Sequence, residues 1–173
     1  MVSRFVTRFG SLDGFVKGRV EVVDDDPRHY AFSNVFEVAG RFGPWVQVAV
    51  GVNRQYVLEV VRCEGTSGWR MCGHDQSVLV MDGRVRVELA QPGPGQAVPA
   101  GQDGSVALTS SDGGGVPLGA AVGRVTAGRG HLVLLPGGVC YRMVTVVGPG
   151  VVVVQTIQGP DTVFRWAEIC QAS

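Results

Sequence analysis

Gly130-His131-Leu132-Val133-Leu134-Leu135-Pro136-Gly137-Gly138-Val139-Cys140-Tyr141 is the stretch on which the fold turns. Gly130 opens a short aliphatic run of strand length, and Pro136 ends it because proline brings no N–H to a ladder. Gly137-Gly138 then supply a tight turn, since glycine alone enters left-handed conformations without steric cost. The chain re-enters the sheet with Tyr141 directed inward. By itself this is any strand, turn and strand, so the rest of the chain must decide what it belongs to.

Working outward, valine and glycine dominate, as they do in short strands joined by tight turns. Period-two or continuous β-branched runs predict strands over Val16–Val23, Trp45–Val52, Gln55–Arg62, Ser77–Met81, Arg84–Leu89, His131–Leu135 and Gly150–Ile157. Asp82-Gly83 between two of these runs predicts a hairpin. Ser33 or Asn34 is expected to cap a short helix over Val35–Ala39, ended by Gly40. Asp161 is expected to cap a final helix over Thr162–Gln171, with Val163, Trp166, Ala167 and Cys170 on one face. Pro92 to Gly123 is rich in glycine and proline and reads as an inserted surface loop or disordered segment.

The composition excludes several functions. Lys plus Arg (15) balance Asp plus Glu (15), and no basic run occurs, so nucleic acid is not an expected partner. No apolar run approaches the length of a membrane span, and Met1 to Gly10 alternates apolar and polar residues without the apolar core of a leader. The four cysteines, Cys63, Cys72, Cys140 and Cys170, lack metal-site or redox spacing and read as free thiols in the cytoplasm.

The opening stretch resembles the second cupin motif, G-x5-P-x-G-x2-H, at every fixed position except the last, where Tyr141 replaces the metal-binding histidine. The first cupin motif, G-x5-H-x-H-x3,4-E-x6-G, can be anchored on Gly83. Gln76 then takes the glutamate position, and Arg70 and Cys72 take the histidine positions, with Trp69 and Met71 as the alternative register. Shifting His74 into a histidine position keeps Gly68 in spacing but loses the glycine turn and leaves Gln76 at the other histidine position. The resemblance implies an all-β fold: a single cupin (jelly-roll) β-barrel over 1–173, with a short N-terminal helix, a C-terminal helix and an inserted loop at about 92–123.

A set of Arg70, Cys72, Gln76 and Tyr141 is poorly suited to a metal, because a guanidinium cannot ligate and an amide is a weak substitute for a carboxylate. These four are expected to line a pocket at the former metal positions. Trp69 is a core residue or stands at a pocket or partner rim. His74 is either a hydrogen-bonding or acid–base group or a residue satisfying a local backbone group, while His29 and His131 read as structural.

Further blocks are similar to the small subunit of two-component hydroquinone 1,2-dioxygenases. They are Asp25-Asp26-Pro27-Arg28-His29-Tyr30-Ala31-Phe32-Ser33-Asn34-Val35-Phe36-Glu37-Val38, Tyr56-Val57-Leu58-Glu59-Val60, His74-Asp75, Val80-Met81-Asp82-Gly83, and Gln155 through Ile169. The resemblance implies a hetero-oligomer in which a larger cupin subunit carries Fe(II) and opens a dihydroxylated ring with oxygen. This chain would hold no cofactor of its own and support the complex, with self-association left open. It carries over no catalytic residue. Two other readings remain: a metal-independent cupin isomerase or cyclase with His74 and Tyr141 as an acid–base pair, and a small-molecule-binding cupin with Arg70 clamping a carboxylate.

Overall fold

A computed structural model of the protein describes residues 10–15, 34–53, 55–109, 115–116 and 118–165. The strand expected over 16–23, the candidate cap Ser33, His29 and residues 166–171 of the expected final helix lie outside the described residues.

Among the described residues, one short helix, α1 (Val35–Arg41), precedes eight strands: β1 (Gln47–Asn53), β2 (Tyr56–Cys63), β3 (Arg70–Met71), β4 (Gln76–Pro92), β5 (Val106–Ala107), β6 (Leu118–Gly128), β7 (Leu132–Leu135) and β8 (Cys140–Thr156). All pairings between these strands are antiparallel. The sheet runs β1-β2-β8-β3-β5, and β4 adds pairings to β6, β7 and β8. Because β4 and β8 are long and paired along most of their length, the sheet curls and one face becomes an interior. That interior is valine-rich: Val61, Val78, Val80, Val85, Val87, Val152 and Val154 with Leu135, Tyr141 and Met143. Each fully buried aliphatic side chain contributes about 1.5–3 kcal/mol against exposure.

The outer face of β1 and β2 is covered by α1, whose Phe36, Val38 and Ala39 pack with Val48, Val57, Val60 and Val151. Asn34 caps this helix, its Oδ1 accepting from the N–H groups of Phe36 (3.1 Å) and Glu37 (3.3 Å). The helix runs through Gly40 to Arg41, one turn position beyond the expected stop.

Three expectations are corrected. Asp82-Gly83 does not turn a hairpin; β4 continues through it. Its register against β8 shifts at Val80/Asp82, Asp82/Arg84 and Arg84/Val85, so the dipeptide forms a bulge that bends the strand. Gly83 has φ +74°, and a Cβ there would meet the Gly150 Cα at 2.8 Å. Second, the final helix does not begin at Thr162: Val163 is bridged in parallel to Val48, and its N–H donates to the Gln47 carbonyl. Third, the glycine–proline stretch is not all loop. Val106–Ala107 pairs with β3, and Leu118 onward pairs with β4.

The decisive stretch folds as read. Gly130 (φ +83°) follows β6, Leu132–Leu135 forms β7 against the start of β4, and Gly138 (φ +73°) turns the chain into β8. No helix among the described residues is long and apolar enough to cross a membrane.

Candidate functional site

The sheet brings Arg70 and Tyr141 together at one cavity, which Cys72 and Gln76 do not line. Arg70 on β3 is the direct cross-strand partner of Tyr141 on β8, Cys72 follows on the connection to β4, and Gln76 opens β4. Arg70 also pairs with Ala107 of β5, and Ser105, the residue just before that strand, lies beside it. The guanidinium donates through Nε to Ser105 Oγ (3.1 Å) and through Nη2 to the Ser105 carbonyl (3.1 Å) and to Asp161 Oδ2 (2.7 Å). A glycine–proline-rich segment therefore supplies a buried hydroxyl to the site, and the chain end after β8 supplies a carboxylate.

Glu59 is the functional-looking residue that motif reading missed. It sits on β2 with Val61 and Cys63 on the interior face, fully buried. One carboxylate oxygen accepts from the Thr162 hydroxyl, and the other has no hydrogen-bond partner among the described residues. Burial pushes its carboxyl above the ordinary range, against the Thr162 hydrogen bond and the Arg70 charge, which pull it down. An acid alternating with apolar residues on a buried strand face was the available signal.

Tyr141 is buried, and burial raises its phenol, opposed by Arg70 and by a hydrogen bond with Ser105. Gln47 Nε2 also reaches Ser105 Oγ, at 3.3 Å. Beside this group lies a cavity of about 210 Å3, lined by Trp45, Gln47, Trp69, Arg70, Tyr141 and Met143 among others. Trp69 is one of its lining residues, with the Arg142 guanidinium 4.8 Å above its ring.

Cys72, His74 and Gln76 form a separate chain of contacts. Gln76, wholly buried, donates Nε2 to Thr156 Oγ1 at 2.6 Å, and its Oε1 has no partner among the described residues. The Ile157 amide can only donate, so His74 Nε2, 3.2 Å away, accepts. A neutral ring then carries its proton on Nδ1, which faces the Cys72 sulfur at 3.1 Å. Burial raises the Cys72 thiol above its ordinary value, which keeps it protonated and unreactive. His74 therefore turns toward Cys72 and Thr156 and does not line the cavity that Tyr141 enters. His131 lies outside the site, its Nδ1 on the Gly128 carbonyl at 2.9 Å. Cys63, Cys72 and Cys140 are free and buried, and burial pushes the Cys63 thiol up to about 12.

No family model matches the sequence, and no curated protein matches it. Solved structures do. A chain of hydroquinone 1,2-dioxygenase from Sphingomonas sp. TTNP3, solved with 4-hydroxybenzoate bound, is 46% identical with a TM-score of 0.83, the match covering 97% of this chain and 98% of that one. A chain of hydroquinone 1,2-dioxygenase PnpCD, solved with Cd2+ and 4-hydroxybenzonitrile, is 44% identical with a TM-score of 0.81, covering 98% and 99%. A longer chain of the Sphingomonas enzyme, solved with 4-nitrophenol, shares the fold at 12% identity and a TM-score of 0.53, covering 88% of this chain and 40% of that one. Those enzymes thus contain chains of two lengths, and this chain corresponds to the shorter. With 44% and 46% identity along almost its whole length, it belongs to the family of hydroquinone 1,2-dioxygenase subunits.

Proposed function

We propose that this chain is the iron-free cupin subunit of a heteromeric dioxygenase that opens hydroquinone-type rings, a cytoplasmic complex in which a longer cupin chain holds Fe(II). The observation that carries the reading is the engagement of the side chains at the cupin metal positions. A divalent cation needs several convergent lone pairs from neutral or anionic donors. Here Arg70 presents a positive charge, Gln76 offers only a neutral amide whose nitrogen donates to Thr156, and His74 Nε2 already accepts from a backbone N–H. The residues do not fit a metal, so no step through iron is assigned to this chain. Its contribution is a single-domain barrel in which Arg70, Gln76 and His74 are held by hydrogen bonds within the chain. The PnpCD enzyme has been solved with Cd2+ and with Fe3+, which supports a metal elsewhere in such a complex.

The geometry gives no support to an acid–base pair of His74 and Tyr141, because only Tyr141 lines the cavity. The test is reconstitution. This chain and a longer cupin chain from the same source are purified separately and together, with iron measured by elemental analysis and hydroquinone turnover by oxygen uptake. Iron and turnover are expected to follow the longer chain, with full activity only in the mixture. Stoichiometric iron together with robust turnover in this chain alone would sink the reading.

A further inference from the structure

The interior cavity beside Arg70 and Tyr141 is more defined than a packing void. Its volume is about 210 Å3, and an apolar cavity of about 150 Å3 already holds benzene. Trp45, Trp69 and Met143 give it apolar walls, while Gln47, Arg70 and Tyr141 give it polar ones. Trp45 is the one non-glycine residue among those described with a left-handed backbone, φ 65°. Its indole N–H is tied to the Glu64 carbonyl at 2.8 Å. Backbone strain of this kind persists where surrounding contacts over-determine it, and such residues cluster at ligand sites.

A count of hydrogen-bond capacity shows what the site offers. Ser105 Oγ accepts from Gln47 Nε2 and from Arg70 Nε, which fills both of its lone pairs. Tyr141, next to Ser105 and Arg70, brings a hydroxyl to the same cavity. Arg70 uses Nε and Nη2 on Ser105 and Asp161, and the two N–H groups of Nη1 have no hydrogen-bond partner among the described residues. The cavity thus combines flat apolar walls with a surplus of donors. Glu59 is not among the residues that line the cavity.

We propose that this cavity binds a small aromatic carboxylate, its ring against Trp45 and Met143 and its carboxylate on Arg70 Nη1 and the Tyr141 hydroxyl. The proposal concerns this chain without its partner and is tested without it. The full chain is titrated calorimetrically with sodium benzoate, and with phenol as the uncharged comparison. Saturable binding of benzoate, and much weaker binding of phenol, are expected. Charged hydrogen bonds of this kind set the scale: Arg70→Gln should weaken benzoate roughly tenfold or more, and Tyr141→Phe by roughly three- to tenfold. Tyr141→Phe keeps the ring and loses one hydroxyl, so it stays informative if Arg70→Gln fails to fold. Absence of saturable heat up to about 10 mM benzoate, phenol binding as tightly as benzoate, or unchanged affinity in Tyr141→Phe would overturn the proposal.

Discussion

Arg70 and Tyr141 face each other across the β3–β8 pair, and Arg70 donates to the hydroxyl of Ser105, a residue contributed by a segment that reads as loop. The hydroxyl is nearly inaccessible to solvent and also accepts from Gln47. Removing it leaves the Arg70 and Gln47 side chains short of a partner in a place water does not readily reach. Leaving buried polar groups unsatisfied costs about 1–3 kcal/mol, so Ser105→Ala is expected to lower stability by about 2 kcal/mol. Urea denaturation of the two proteins checks this, and a change in midpoint without a change in slope would show that the native state alone is affected.

Glu59 makes the protein's stability depend on pH in a direction opposite to that of a salt-bridged acid. Its folded-state pKa lies above the ordinary 4.5, chiefly from burial. Between that ordinary value and the raised one, the folded state binds more protons than the unfolded state. Stability is therefore fully present below 4.5, falls as pH rises through the folded pKa, and levels off above it. Glu59→Gln keeps an acceptor for Thr162 and removes the titration. The variant should lose less stability than the parent between acid and neutral pH, and be the more stable of the two at pH about 8. Parallel pH–stability curves from urea titrations would assign the effect to other groups.

Much of the fold is legible locally, because period-two runs and their glycine and proline boundaries are local signals. β7, the turn into β8 and the Asn34 cap all follow from a few adjacent residues. The Asp82-Gly83 hairpin fails for a physical reason: a type I′ turn and a bulge both want a glycine with positive φ. Only the pairing of β4 with β8 on both sides of Gly83 decides between them, and that pairing joins residues far apart in the chain. The site divides the same way. Motif spacing singles out Arg70 and Tyr141, which line the cavity, together with Cys72 and Gln76, which do not, whereas Ser105, Asp161 and Thr162 arrive through long-range contacts that no local pattern announces.

Two glycines with nearly equal φ separate backbone preference from packing. Gly83 (φ +74°) has the Gly150 Cα 2.8 Å from where a Cβ would sit, while Gly95 (φ +77°) has open space there. Both substitutions to alanine impose a left-handed conformation costing about 1–2 kcal/mol. Gly83→Ala must in addition push β4 away from β8 at the bulge. It should cost at least about 2 kcal/mol more than Gly95→Ala, because overpacking against backbone adds about 1–3 kcal/mol. Equal thermal or urea midpoints for the two variants would mean that the close approach at Gly150 is easily relieved.

The stretch that sets the fold also offers an internal comparison of face. Along β7, Val133 and Leu135 point into the barrel and are 6% and 1% exposed, while Leu132 and Leu134 point out and are 68% and 56% exposed. Leu135→Ala deletes buried atoms and leaves a cavity beside Val78, Val80 and Val133, which should cost about 2–5 kcal/mol. Leu134→Ala deletes the same atoms from a surface position and should change the stability of the isolated chain by less than about 0.5 kcal/mol. A one-residue slip of β7 against β4 would exchange the two faces and reverse the order of the two variants. Chemical denaturation of both therefore tests the register Gln76↔Leu135 on which the placement of Tyr141 depends.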